Sequence, residues 1–279
     1  MRKSQLKRRA ETLAAMHRAP GIVVLPNAWD VISACMLVEA GYKAIATTSG
    51  GCAFSLGYPD GEKIPRREMV AAIRRIAHGV PVPVTADMEA GYGSSAEDVA
   101  ETVRQTLKAG AVGINIEDGD KTNPGKLIGF ESAVERIRAA RAAAAEAGIP
   151  MVINARTDGF HYGDSAEIFD DAVRRANAYL AAGADCAFVP FVRDGALIGR
   201  LAAAIEGPMN VLAGPGTPPV PELAKLGVKR VTVGSNITKA TLLTIKRAAE
   251  ELQGPGSYEF ARGAPGQPEV HRILAKPGG

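Results

Sequence analysis

Short runs of apolar, largely β-branched residues recur along the chain at Ile22–Ala28, Ala44–Ser49, Val82–Glu89, Val112–Asp118, Val152–Thr157, Cys186–Phe191, Met209–Ala213 and Arg230–Gly234. Between them lie amphipathic stretches rich in Ala, Glu and Arg, among them Ser95–Ala109, Glu131–Ala147, Ala166–Ala182 and Pro221–Leu226, with a last helix over roughly Lys239–Leu252. Strand-length runs alternating with helical periodicity are the signature of β/α units. The helical stretches share one ending, Ala40-Gly41, Ala109-Gly110, Ala147-Gly148, Ala182-Gly183 and Leu226-Gly227, where glycine is free to take the left-handed conformation that stops a helix. Eight such units predict a (β/α)8 TIM-type barrel, with an open doubly wound sheet as the competing arrangement. Leu25-Pro26-Asn27-Ala28-Trp29-Asp30 stands where a dinucleotide-binding sheet would carry its glycine-rich turn.

After the last helix, Gly and Pro dominate from Gly254 to Gly279, which predicts a barrel domain over 1–253 and an extended or mobile tail over 254–279. Tyr258, Phe260, Val270 and Ile273 give that tail a means of docking on a neighbouring subunit. With 279 residues, 46% hydrophobic and 23% charged, the chain has the size of a one-domain barrel and an ordinary globular composition. A net charge of +3 is too small to imply nucleic acid, and no apolar run is long enough to span a membrane, so a cytoplasmic protein is expected. Cys35, Cys52 and Cys186, like His17, His78, His161 and His271, are scattered without metal-ligand spacing.

The chemistry is carried by acids at predicted strand ends. Asp87 and Glu89 lie two residues apart in Thr85-Ala86-Asp87-Met88-Glu89-Ala90-Gly91-Tyr92-Gly93, and Glu117 follows in Asn115-Ile116-Glu117-Asp118. On a regular strand Asp87 and Glu89 would point the same way, roughly 6–7 Å apart. Two such carboxylates repel by about 2–3 kcal/mol at an effective dielectric near 20. A divalent cation would convert repulsion into ligation, and oxygen donors without nearby His or Cys favour Mg²⁺ or Mn²⁺ over zinc.

Thr47-Thr48-Ser49-Gly50-Gly51 after the second strand offers backbone amides and a hydroxyl to an anion. Asp60, in Ser55-Leu56-Gly57-Tyr58-Pro59-Asp60-Gly61, is placed to orient metal-bound water. Arg156, in Asn154-Ala155-Arg156-Thr157-Asp158, would present its planar fork to a carboxylate or pair with Asp158 or Glu117.

Together these segments resemble the isocitrate lyase and phosphoenolpyruvate mutase superfamily, in family order from Leu25 to beyond Arg156. The resemblance implies a (β/α)8 barrel of the phosphoenolpyruvate-binding type, Mg²⁺ bound most directly by Asp87, and Glu89, Glu117 and Asp60 holding its waters. It implies that Ser49, Gly50 and Gly51 bind the carboxylate and oxo group of a 2-oxo acid while Arg156 contacts the other end. Trp29 and Asn123 join the substrate-facing set on the same footing. A dimer or tetramer built by exchange of the last helix is also implied.

The chain departs from the superfamily in two places. The lid that carries a Cys in the isocitrate and methylisocitrate lyases reads Gly119-Asp120-Lys121-Thr122-Asn123-Pro124-Gly125-Lys126, and Val189-Pro190-Phe191 replaces a segment with Glu after the sixth strand. Lys121, or a water held by Asp60, is then the best candidate for proton transfer. The expected activity is Mg²⁺-dependent carbon–carbon bond cleavage in a small 2-oxo or 2-hydroxy carboxylate, oxaloacetate-like or methylisocitrate-like, through an enolate. Lys121-Thr122-Asn123 is similar to the gating loop of the phosphonopyruvate branch, which keeps carbon–phosphorus chemistry, by a mutase or hydrolase, as an alternative. A non-catalytic 2-oxo acid binder is the third possibility.

Overall fold

The structure is a computed structural model and describes residues 1–275. It is the predicted barrel, with every strand parallel to its neighbours. The first strand is in two pieces, β1 (Val23–Val24) and β2 (Asn27–Ala28), followed by β3 (Ile45–Thr47), β4 (Val84–Asp87), β5 (Gly113–Glu117), β6 (Val152–Arg156), β7 (Cys186–Phe188), β8 (Met209–Leu212) and β9 (Arg230–Thr232). The break falls at Leu25-Pro26, and it is what closes the ring: β1 pairs with β9 while β2 pairs with β3. Proline has no N–H to give a ladder, yet its carbonyl still accepts from Ala46 (2.9 Å), and Leu25 donates to Val231 (2.9 Å).

The helices follow their local signals. In α2 (Val31–Glu39) and α5 (Ala96–Ala109), Asp30 with Ser33 and Ser95 with Asp98 form reciprocal capping boxes. All five glycines that end the predicted helices have positive φ, between 67° and 106°. The helices α4 (Arg66–Gly79), α6 (Phe130–Ala147), α7 (Ala166–Ala181), α8 (Gly195–Ala204) and the short α9 (Val220–Lys225) bury apolar residues in the core, whereas α10 (Asn236–Gln253) buries only Thr238. A further helix, α1 (Lys3–Arg18), lies across the N-terminal end of the barrel. Arg9 on it donates to the carbonyls of Ala77 and Val80, and Leu13 packs beside Gly113, the first residue of β5.

Inside the ring the residues are polar. Asn27, Thr47, Thr85, Asn115, Asn154, Arg230 and Thr232 are buried and line the central cavity. A barrel interior is usually filled by layers of Val, Ile and Leu; here the aliphatic core lies between strands and helices.

Within the tail, Gly254 to Ala275 is not wholly extended: it holds a short helical turn at Glu259–Ala261 and the helix α11 (Gln267–Leu274). Ile273 of α11 is buried, and Arg272 pairs with Glu39 of α2 in the same chain (2.6 Å). Residues 276–279 lie outside the described residues.

The α1 plug makes stability acid-sensitive. Burial and the neighbouring Arg230 push His17 down to about 4 from its ordinary 6.5. The folded protein therefore binds fewer protons than the unfolded chain between these values. This stability is fully present above pH 6.5 and is lost as pH falls toward 4, by up to roughly 3 kcal/mol. Urea melts from pH 7 to 4 should show a shallower acid loss in His17→Gln than in the unaltered protein; parallel curves would contradict the assignment.

Candidate active site

The acids gather at the C-terminal ends of β4 and β5. Asp87, the last residue of β4, is paired in register with Asn115, and Asn115 with Asn154, so these three form one layer across the barrel. One residue pair higher, Glu117, Arg156 and Phe188 are in register on β5, β6 and β7.

Asp87 is held by three donors: the Ser49 amide (3.0 Å) and hydroxyl (2.8 Å) on Oδ2, and Asn115 Nδ2 (3.0 Å) on Oδ1. Its own amide donates to Thr47 Oγ1. Ser49-Gly50-Gly51, expected as a turn, is the first turn of a short helix, α3 (Ser49–Ser55), because Thr48 caps it by accepting from the Gly51 amide. A Cβ on Gly51 would come within 2.6 Å of Thr48 Cγ2 and Thr238 Oγ1, and within 2.8 Å of Trp29 Cβ. Only glycine lets this turn sit so close to its neighbours.

Glu89 is not on the strand. β4 ends at Asp87 and the chain turns, with Glu89 at φ +49°, a left-handed conformation that is costly for a non-glycine residue. The strand-alternation argument thus fails for Glu89, whose position comes from the turn; its carbonyl accepts from the Glu117 amide (2.9 Å). Glu89 is 2% exposed, and neither carboxylate oxygen has a satisfactory hydrogen bond. Burial pushes its carboxyl up to about 8. Burial and the Asp87 charge also raise Asp60.

Lys121 lies between two of these acids, its Nζ 2.5 Å from Glu117 Oε1 and 3.1 Å from Glu89 Oε2. Although burial disfavours its charge, the two carboxylates hold Lys121 protonated well above the usual lysine range. Arg156 binds Glu117 Oε2 through Nη1 (2.8 Å) and Asp158 Oδ1 through Nε (2.5 Å). Its guanidinium also lies 5.6 Å and 5.5 Å from the ring centroids of Phe188 and Phe191. Burial works against ionisation of Glu117, but Arg156 and Lys121 outweigh it and keep the carboxyl below its ordinary range. Phe191 has φ +68°, a second strained residue at the mouth.

Two adjoining cavities share Ser49, Asp60, Arg156 and Phe191. The inner one, about 190 Å³, reaches down past Asp87 to Arg230 and has an apolar side of Phe188, Leu212 and Val233. The outer one, about 440 Å³, opens beside Glu89, Glu117, Lys121 and His161. Trp29 reaches neither: it packs under α3 and lines a separate apolar groove with Ile32, Leu56 and Leu274. Asn123 is on the exposed lid, where its amide donates to Asp120. Asn115, Asn154, Phe188 and Asp158 are site residues that the acid motif did not reveal. The signal for the two asparagines was an amide at an inward position of an otherwise apolar strand.

Among the described residues, no three His, Cys, Asp or Glu side chains converge as a ready-made metal cluster. The acids instead close on Lys121, Arg156, Ser49 and Asn115. The donor set nevertheless fits a hard divalent cation. Asp60, Asp87, Glu89, Glu117 and Asp158 face two cations, and buried Glu89 has the Lys121 ammonium beside Oε2 and no partner on Oε1.

The site is thus a parallel-barrel mouth with an oxygen-rich acidic cluster, a cation on its lid and an arginine near two phenylalanine rings. The chain belongs to the phosphoenolpyruvate phosphomutase family, whose family model matches residues 13–253, within the superfamily that includes isocitrate lyase. It is 37% identical to the 2-methylisocitrate lyase of Escherichia coli over 63% of this chain and 60% of that one. It is 30% identical to the oxaloacetate decarboxylase of Rhodopseudomonas palustris over 90% and 91%. A Burkholderia cenocepacia crystal structure, provisionally assigned as a lyase or mutase, superposes with a TM-score of 0.92 at 38% identity, covering 98% of both chains.

Proposed function

We propose that the protein is a Mg²⁺-dependent lyase that cleaves a carbon–carbon bond beside a 2-oxo or 2-hydroxy carboxylate. The observation that carries this reading is the cluster of Asp60, Asp87, Glu89 and Glu117 around two joined cavities, with Lys121 standing between carboxylates that lack sufficient counter-charge. Its lyase relatives support the class of reaction. Residues 1–253 would be the catalytic domain and 254–279 an accessory tail.

Asp87, with Glu89, Glu117 and Asp60, would hold Mg²⁺, or Mn²⁺ in its place. When bound, the cation supplies stabilisation of the negative charge that builds on the substrate oxygen as the bond breaks. Ser49 and the amides of Gly50 and Gly51 would receive the proximal carboxylate, the Ser49 donors leaving Asp87 and the Gly51 amide leaving Thr48 to do so. Arg156 would meet the distal end, with the Phe188 and Phe191 rings 5.6 Å and 5.5 Å from its guanidinium. Asp60, raised by burial, is suited to accept a proton; Lys121 would return one from Nζ to the carbanion after leaving Glu89 and Glu117, whose charges otherwise hold its proton. The apolar side of the inner cavity favours a small acid with a carbon substituent over a larger tricarboxylate.

The test is Mg²⁺-dependent turnover of oxaloacetate, 2-methylisocitrate, isocitrate, 2,3-dimethylmalate and phosphonopyruvate. The lyase reading expects a carbon fragment such as pyruvate or glyoxylate, reduced at least about 10³-fold in Asp87→Ala. Phosphate or phosphoenolpyruvate would move the protein to the phosphonate branch, and tight binding without product would make it a binder. Lys121→Met separates the two roles of this lysine: Mn²⁺ affinity should rise several-fold because a competing cation is gone, while turnover falls about 10²-fold. Weaker Mn²⁺ binding in that variant would contradict the competition.

We further propose that α10 is the exchanged helix of a dimer or tetramer. Leu242, Leu243, Ile245 and Leu252 are exposed on it, Ile245 by 64%, and Thr238 is its one buried residue. Light scattering should report an oligomer that Ile245→Asp shifts to smaller species. A monomeric unaltered protein would contradict this.

A further inference from the structure

Beneath the acidic mouth, the barrel interior contains a buried cation that the proposed chemistry does not use. Arg230 opens β9, is 2% exposed, and among the described residues has no carboxylate within ion-pair distance. A buried unpaired charge is costly, and burial lowers Arg230 only to about 10, so it stays charged at neutral pH. Its Nη1 approaches His17 Nε2 at 3.5 Å, and its Nε has no partner. Two other buried polar atoms without partners, Asn154 Oδ1 and Thr85 Oγ1, belong to residues lining the same cavity.

The hydrogen-bond polarity of this layer is not arbitrary. An ionised carboxylate only accepts, so Asn115 must give Asp87 its Nδ2 and turn its Oδ1 the other way. Asn154 then donates Nδ2 to Asn115 Oδ1 (3.0 Å), which leaves Asn154 Oδ1 as the acceptor needing a donor. Arg230 Nε–H is a donor needing an acceptor. The cavity between them has room for water. From below, His17 Nδ1–H is committed to the Leu13 carbonyl (2.8 Å), so its Nε2 lone pair faces Arg230.

We propose that Arg230 is a positioning residue that terminates a one-way hydrogen-bond chain, through a bridging water to Asn154 and Asn115, fixing how Asp87 presents its carboxylate. The chain ties the α1 plug to the mouth of the barrel. If Arg230 is removed, Asn154 Oδ1 loses its donor, and the looser Asn154 holds Asn115 Oδ1 less firmly, so that Asn115 presents Nδ2 to Asp87 over a wider range of positions. The proposal rests on Asp87 being a cation ligand, as in the preceding section.

Two readouts separate the relay from that reading: Mn²⁺ affinity by calorimetry, and the side-chain amide resonances of Asn115 by NMR in the metal-free protein. Arg230→Met should weaken Mn²⁺ binding about tenfold, the scale of losing an outer-shell partner, and should shift the Asn115 amide. Arg230→Lys, which keeps a charged donor, should recover most of the affinity. Asn154→Leu interrupts the chain without touching the buried charge and should weaken Mn²⁺ binding similarly, so the test survives if Arg230→Met fails to fold. Folded variants that bind Mn²⁺ within twofold of the unaltered protein, with an unmoved Asn115 amide, would overturn the relay and leave Asp87's role standing. If the unaltered protein binds no Mn²⁺, the cation reading fails and the Asn115 resonance alone decides whether the chain exists.

Discussion

The site is organised around an excess of carboxylate at the mouth of the barrel. Asp60, Asp87, Glu89, Glu117 and Asp158 converge where two cations, Lys121 and Arg156, face them. Each local feature answers that repulsion. The lid folds down so that Lys121 reaches Glu117 and Glu89, and Arg156 divides its fork between Glu117 and Asp158. Asp118, just past Glu117, instead accepts from Tyr179 (2.6 Å) and Arg175 (3.3 Å), which anchors β5 to α7. Even so the compensation is incomplete at Glu89, where burial outweighs the Lys121 charge and pushes the carboxyl to about 8. A site that satisfied itself would have little use for an added cation; this one leaves Glu89 Oε1 without a partner.

The polar interior is the second consequence. Asp87 lies at the level of Asn115 and Asn154, below the ring formed by Glu117, Arg156 and Phe188. An aliphatic layer at that depth would leave the Asp87 carboxylate without donors, at a substantial desolvation cost. Asparagines supply those donors, but each has a second end that must be matched. The polarity runs down the barrel until it meets Arg230 and His17. Function at the mouth thus constrains residues at the floor.

Much of the architecture was legible from the chain, because the signals are local: eight apolar runs, alternating helical periodicity and five glycines that must take positive φ. The break at Leu25-Pro26 was not, since the exchange of partners at a barrel seam is set by closure of the ring. That Asp60, Asp87, Glu117 and Arg156 come together at one barrel mouth was legible because strand ends and acid motifs lie in short segments. Glu89 was found for an incomplete reason: strand alternation placed it, whereas the structure uses a strained turn. Trp29 lies outside the two site cavities, which the sequence did not reveal because a nearby motif does not say on which side of α3 an indole packs. The helix α11 was hidden by the Gly and Pro around it; Gln267-Pro268 starts a helix, since proline is tolerated in the first turn. The approach of Phe188 to Arg156 depends on lateral register between β6 and β7, which no single segment reveals.

The central claim is that the acid cluster is a cation site on which Lys121 now stands. Anomalous diffraction from crystals soaked in Mn²⁺ with oxalate tests it directly. The account predicts an ion within about 2.0–2.3 Å of an Asp87 oxygen, with Lys121 withdrawn from Glu89. An empty anomalous map, with Lys121 still bridging Glu89 and Glu117 while oxalate is bound, would contradict it.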